Sequence, residues 1–249
     1  TEYPLIKNNN NSLNYFTPKM SLMYSPNKTK NLNQDNLRVD ASNIFSFNRI
    51  ANNETVEGGA SLTYGMSFNK TNKLTNREVL NLDIATLLRH KENLDLPSTS
   101  SLGKKTSDIF GNLEIYPDNI YSFKYNFALD NNLNEFEYNE FNSTISINNL
   151  ITEFSFIEEA GAIGSTNTFE NKSKYVFDEN NAISFKTRRN RKINLTEYYD
   201  LVYEYQNDCL TAGIKYNKTY YEDRDLKPTE NLLFTITLFP LTSCEQQIN

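Results

Sequence analysis

Gly59-Ala60-Ser61-Leu62-Thr63-Tyr64-Gly65-Met66-Ser67-Phe68-Asn69 alternates residue by residue between apolar and polar character. Successive side chains of an extended strand point to opposite faces. Ala60, Leu62, Tyr64, Met66 and Phe68 therefore share one face, and Gly59, Ser61, Thr63, Gly65, Ser67 and Asn69 the other. A helix would need apolar residues at i, i+3, i+4 and i+7, and no long stretch of the chain has them. The period of two returns in Tyr121, Phe123, Tyr125, Phe127 and Leu129, in Leu210, Ala212, Ile214, Tyr216 and Tyr220, and in Leu232, Phe234, Ile236 and Leu238. Between the runs lie Asn52-Asn53, Pro117-Asp118-Asn119, Asp130-Asn131-Asn132, Asn148-Asn149, Asp178 to Asn181 and Gln206-Asn207. Asn and Asp tolerate left-handed backbone and so close hairpins. This spacing predicts about twelve strands, with Glu57–Asn69 and Thr168–Asp178 longer than the roughly 5–6 residues usual in globular sheets.

The chain has 249 residues, a formal net charge of −6, a mean hydropathy of −0.64, 13% aromatic residues and 38 Asn. An acidic balance argues against nucleic acid as a partner, since binders of nucleic acid carry a basic face. No run of about 18 apolar residues is present, so no transmembrane helix is expected. A transmembrane strand needs only about 10 residues with every second one apolar, and a barrel of such strands is polar on average. Long strands, short turns and the longer polar connections Lys28 to Asn36, Lys91 to Lys105 and Tyr220 to Thr229 together predict an all-β, antiparallel transmembrane β-barrel segment. Long loops would face outside and short turns the periplasm. A soluble sandwich also alternates, but its strands are shorter and its second face less polar. The chain begins at Thr1 without Met or signal peptide, so an upstream segment is expected.

Residues that could carry chemistry are few. His90 is the one histidine, without Cys or His neighbours for a metal; it reads as a strand-end residue, with a barrel lipase as the enzymatic alternative. Lys186-Thr187-Arg188-Arg189-Asn190-Arg191-Lys192 could meet phosphate groups, although a solvated hairpin turn between Ile183 and Leu195 explains it as well. Asp223 and Asp225 flank Arg224 as a surface ion pair would. Gly58-Gly59 has no helix after it and is no phosphate loop. Cys209 and Cys244 are too few for a zinc knuckle and fit one disulfide, or links to partners outside this segment, in an oxidising compartment. No catalytic residue, metal or cofactor is expected.

Two stretches resemble the lipopolysaccharide-assembly (LptD) family in its alphaproteobacterial form. The first is Asp40-Ala41-Ser42-Asn43-Ile44-Phe45-Ser46-Phe47-Asn48-Arg49, continued by Val56-Glu57-Gly58-Gly59 and Tyr64-Gly65. The second is Asp208-Cys209, then Asp223-Arg224-Asp225-Leu226-Lys227-Pro228 and Leu233 to Leu238. The resemblance implies that residues 1–249 are the C-terminal part, the later half, of a large outer-membrane barrel that inserts lipopolysaccharide into the outer leaflet. It implies a periplasmic bridge protein as partner, outer-membrane lipid around the barrel, and room for a lumenal lipoprotein plug. It implies a lateral exit at the last strand, Asn231–Phe239, with Leu232, Phe234, Ile236 and Leu238 at the gate. It also implies a disulfide from Cys209 to a periplasmic domain. Cys209 has the parity of Thr211, Gly213 and Lys215, opposite to Leu210, Ala212 and Ile214. A porin or receptor barrel is the alternative function.

Overall fold

The computed structural model describes residues 1–52, 54–161, 163–220 and 227–238. Thirteen strands form one antiparallel sheet whose order follows the chain. They are β1 (Leu5–Asn8), β2 (Ser12–Ser25), β3 (Gly59–Asn72), β4 (Arg77–Arg89), β5 (Ile109–Ile115), β6 (Tyr121–Leu129), β7 (Phe136–Ile147), β8 (Leu150–Glu159), β9 (Asn167–Val176), β10 (Asn181–Asn190), β11 (Leu195–Gln206), β12 (Leu210–Thr219) and β13 (Thr229–Leu238). The only helical turn among the described residues is Ser101–Gly103, and no helix there is long and apolar enough to cross a membrane. The all-β reading holds, with one strand more than the expected twelve. The quoted stretch is β3, which runs on to Asn72 and spans 14 residues, as does β2.

The chain divides into two compact units, Thr1–Asn142 with Ile157–Thr166, and Ser143–Phe156 with Asn167–Asn249. In the first, register places Phe16, Phe68, Leu82, Leu113 and Tyr125 in one row, and the next residue along the strands, Thr17, Ser67, Asp83, Asn112 and Asn126, in the row behind. A sheet built this way has one apolar and one polar face. The apolar face is left open: Leu22 is 77% and Tyr24 73% exposed. In the second unit the apolar row is Phe185, Leu201, Tyr216 and Leu232, and the polar row Lys172, Lys186, Asp200 and Asn217.

The turn signals from Pro117 onward fall between strands or at their ends as expected, and their mechanism is visible; Asn52 lies within the long β2–β3 connection, and Asn53 is outside the described residues. Asp118 Oδ1 accepts from the amides of Ile120 and Tyr121 at 2.7 and 2.9 Å, Asp178 Oδ1 from Asn180 and Asn181 at 2.9 Å, and Asn207 Oδ1 from Cys209 and Leu210 at 3.0 and 2.8 Å. Such side-chain turns mimic a backbone turn. Asn76, Asn148 and Asn194 take positive φ at hairpin corners. Connections alternate between the two ends of an antiparallel sheet. In the first unit 9–11, 73–76 and 116–120 share one end, and the long 26–58 and 90–108 lie at the other together with 130–135.

Candidate functional site

The first family-like stretch lies in the long β2–β3 connection. It does not project into solvent. Leu32, Val39, Ile44 and Ile50 are buried with Leu96 and Leu102 of the β4–β5 connection, against Ala85, Leu87, Phe110, Ala128 and Tyr138 of the sheet. Ala85, Leu87, Phe110 and Ala128 stand at polar-face positions, where the same strands otherwise carry Asn81, Asp83, Asn112 and Asn126. The polar face therefore turns apolar where the loop covers it. The two connections also bind each other: Leu32 N donates to Asp95 O at 2.7 Å, and Asn93 Nδ2 to Thr29 Oγ1 at 2.8 Å.

Asp40 and Asn43 hold the loop's tight turn by reciprocal bonds. Asp40 Oδ1 accepts from the amides of Ser42 and Asn43 at 2.8 and 3.1 Å, and Asn43 Oδ1 accepts from Asp40 N at 3.0 Å. This reciprocity resembles a capping box and places Ile44 in the core with no exposure. Phe45 packs against that core with Lys19 Nζ 6.0 Å from its ring centroid, and Asn48 Nδ2 closes the next turn on Asn52 O at 3.1 Å.

Beyond the turn, Arg49 reaches the sheet. Its Nε and Nη2 fork onto Glu57 at 2.9 and 2.7 Å, Nη2 also meets Ser61 Oγ at 2.8 Å, and Nη1 meets Thr63 Oγ1 at 2.8 Å. Arg89, at the end of β4, donates to the same Glu57 Oε1 and to the carbonyls of Gly58 at 3.0 Å and Leu102 at 3.1 Å. Burial pushes the Arg49 guanidinium down from its ordinary range, and Glu57 opposes that. Gly58 N donates to Thr29 Oγ1 at 2.8 Å, and a Cβ on Gly58 would lie 2.3 Å from Asn27 O. Gly59 then enters β3 at φ +91°. Glu57, Gly58 and Gly59 thus close the loop's neck, a role distinct from anion binding.

Further along the polar face a polar cavity of about 510 Å³ opens between Arg38, Asp40 and Ser42 of the loop and Asp83, Asn112, Glu114, Asn126 and Glu140 of the strands. Asn112 Nδ2 donates to Asn126 Oδ1 at 2.7 Å, Asn126 Nδ2 to Glu140 Oε2 at 3.0 Å, and Tyr138 OH to the same oxygen at 2.8 Å. Arg38 stacks on Tyr138, with Cζ 3.3 Å from the ring centroid. The arrangement offers donors and acceptors that match hydroxyl groups. No group of three or more metal-ligating side chains occurs among the described residues.

Residues 2–161 match the family model of LptD, LPS transport system D. The chain belongs to the LptD family. No curated protein matches it. LptD proteins serve lipopolysaccharide transport and outer-membrane assembly, act as transport components rather than as an enzyme family, and belong to the outer membrane.

Other residues singled out in the sequence are dispersed. His90 is exposed after β4, its amide donating to Ala60 O at 3.0 Å. Lys186 and Arg188 lie within β10 and pair with Glu170 at 3.3 Å and Glu197 at 2.7 Å, so two of the five cations of the basic run are met by carboxylates of neighbouring strands. Cys209 sits in the β11–β12 turn and is not a free thiol. Pro228 is exposed before β13. Leu232, Phe234, Ile236 and Leu238 are exposed on β13. Asp223, Arg224, Asp225, Phe239 and Cys244 lie outside the described residues. The sequence reading missed Ser61, Thr63 and Arg89 as partners of the family-like stretch. Their shared strand parity with Gly65 and Ala85 was the available signal.

Proposed function

We propose that the protein is the C-terminal part of an outer-membrane barrel that carries lipopolysaccharide to the outer leaflet. One observation carries the reading beyond family membership: in each of the two units the cross-strand rows from β2 to β6 and from β10 to β13 alternate between an open apolar row and a hydrogen-bonded polar one. In a membrane the apolar face meets acyl chains and the polar face a hydrated lumen. An amphipathic glycolipid needs both surfaces at once, sugars along the polar wall and acyl chains through an apolar exit. The exit proposed is the seam at β13, where Leu232, Phe234, Ile236 and Leu238 continue the apolar rows of β12. A strand edge in lipid must be paired, so a seam that opens is a deliberately weak pairing.

The remaining partners follow from the same reading. A periplasmic bridge protein delivers the glycolipid, and Cys209 joins an upstream periplasmic domain. What supports the latter is the position of Cys209 in a short turn, since short turns of such barrels face the periplasm. Conditional depletion of the full-length protein with labelling of surface lipopolysaccharide tests the function. Loss of surface label with accumulation at the inner membrane is expected. Unchanged surface label would leave a porin or receptor barrel as the account of the same strands.

A further inference from the structure

We infer that the apolar face of the first unit carries a docking site for a phosphate-bearing lipid, with Lys7 and Lys70 meeting the headgroup and the pocket beside them seating an acyl chain. The inference rests on reading the apolar face as the one that meets lipid. Three observations lead to it.

First, cationic side chains stand on this face at one end only. Lys7, Asn14 and Lys70 are cross-strand neighbours, and their row continues through Leu80, Ile115 and Phe123. The row lies at the end shared by 9–11, 73–76 and 116–120. The next row toward the long connections is Phe16, Phe68, Leu82, Leu113 and Tyr125, and from there to Tyr24 no side chain of β2–β6 on this face is charged among the described residues. A lysine at the edge of an apolar band lays its stem on the band and sends its ammonium to the headgroup level. Strands about 4.8 Å apart put the two lysine backbones about 10 Å apart, so both long side chains reach a common phosphate.

Second, neither lysine is neutralised. Lys19, Lys124, Lys186 and Lys215 of the polar face lie 3.7, 3.3, 3.3 and 3.0 Å from Asp83, Glu114, Glu170 and Asp200. Lys7 and Lys70 are exposed and have no carboxylate partner among the described residues. Their neighbours Lys73 and Arg77 hold the turns instead, Lys73 Nζ donating to Asn9 O at 2.6 Å and Arg77 Nη2 to Asp118 O at 3.4 Å. Uncompensated cations at a membrane surface attract anionic headgroups.

Third, the lysines border an apolar pocket. A cavity of about 360 Å³ is lined by Leu5, Ile6, Lys7, Asn14, Phe16 and Phe68. Asn14 Oδ1 is buried there without a hydrogen-bond partner. A free phosphate would leave the apolar walls bare. A diacyl lipid fits both parts, with a chain on Leu5, Phe16 and Phe68, its phosphate between the ammonium groups, and a headgroup hydroxyl turned toward Asn14.

The test uses the full-length protein in an uncharged detergent, with bound lipid counted by native mass spectrometry during titration. The probes are phosphatidylglycerol, the diacylglycerol of the same chains, and inorganic phosphate. Wild type should take up phosphatidylglycerol in preference to diacylglycerol. Lys7→Gln/Lys70→Gln should weaken phosphatidylglycerol about thirtyfold, at about fivefold for each basic residue near an anionic lipid surface, and leave diacylglycerol unchanged. Lys7→Arg/Lys70→Arg, which keeps both charges, should bind as wild type does. Should the glutamine variant fail to assemble, added sodium chloride should weaken phosphatidylglycerol and spare diacylglycerol on the wild type. Unchanged phosphatidylglycerol binding in the glutamine variant, lost binding in the arginine variant, or salt-insensitive binding overturns the headgroup site. Displacement of the lipid by inorganic phosphate at matched concentration overturns the acyl pocket. A wild type that takes up neither lipid tells against lipid on the apolar face itself, whereas a lost preference alone removes only this site. Export is read separately by the depletion experiment.

Discussion

Arg49 forks onto Glu57, Nε to Oε2 at 2.9 Å and Nη2 to Oε1 at 2.7 Å, with both side chains 2% exposed. A planar guanidinium supplies two parallel donors to one carboxylate, which an ammonium cannot reproduce. Arg49→Lys keeps the charge but should lose the fork and strand Ser61 and Thr63, destabilising the protein by about 1–3 kcal/mol. A lowered midpoint of urea unfolding in detergent reads this directly, and a midpoint equal to wild type refutes it.

Gly58→Ala should damage the loop's neck. The added methyl would meet the backbone oxygen of Asn27 at 2.3 Å and the amide of Thr29 at 3.1 Å, neither of which can swing away. Overpacking of this kind costs about 1–3 kcal/mol. Gly213→Ala meets only the Thr235 hydroxyl at 2.9 Å, a side chain that can rotate, so it should cost less. Thermal unfolding of the two variants side by side would expose a wrong order.

Asp108, just before β5, has its carboxyl pushed above the ordinary range, by burial first, with its bond to Ser101 and the charge of Lys104 opposing. The folded form thus holds a proton that the unfolded form releases earlier. Its favourable contribution is present below the unfolded pKa and is lost as pH rises toward the folded one. Amide exchange around Ser101–Gly103 should quicken as pH climbs through the carboxylate range, after correction for intrinsic rates. Asp108→Asn should flatten that dependence; a slope retained in the variant would assign it elsewhere.

The two faces make opposite predictions for charge. Ile214 lies on the apolar face and Thr211 on the polar face of β12. In water Ile214→Arg would cost little, as Ile214 is already 43% exposed. In a bilayer it should cost about 2–4 kcal/mol near the midplane. Heat-modifiable mobility of the outer-membrane protein should show failed assembly for Ile214→Arg and normal assembly for Thr211→Lys. Equal behaviour would argue against lipid on the apolar face.

Cys209→Ser in the full-length protein should free the upstream domain on non-reducing electrophoresis after a single cleavage between domains. Cys244→Ser should leave that link intact. If Cys244→Ser abolishes the link or exposes a thiol at Cys209 to maleimide, the two cysteines of this segment pair with each other instead.

Much of this was legible in the residues alone. Alternation in Gly59–Asn69 specified both faces of β3, because a strand's side-chain period is two and a slip of one residue would bury every polar group in lipid. Asn and Asp placed the turns through local hydrogen bonds that need no distant partner. The family-like residues Asp40, Asn43, Arg49, Glu57, Gly58 and Gly59 were legible as a pattern but not as an arrangement. Nothing local links Arg49 to Ser61, Thr63 and Glu57, or Glu57 to Arg89, thirty-two residues away. Only the tertiary structure decided that the β2–β3 connection folds onto the polar wall, and that Ala85, Leu87, Phe110 and Ala128 are apolar for its sake. The reason is physical: a strand's faces are set by neighbours in sequence, whereas covering a face, and balancing a charge buried beneath that cover, depends on residues brought together only by the sheet.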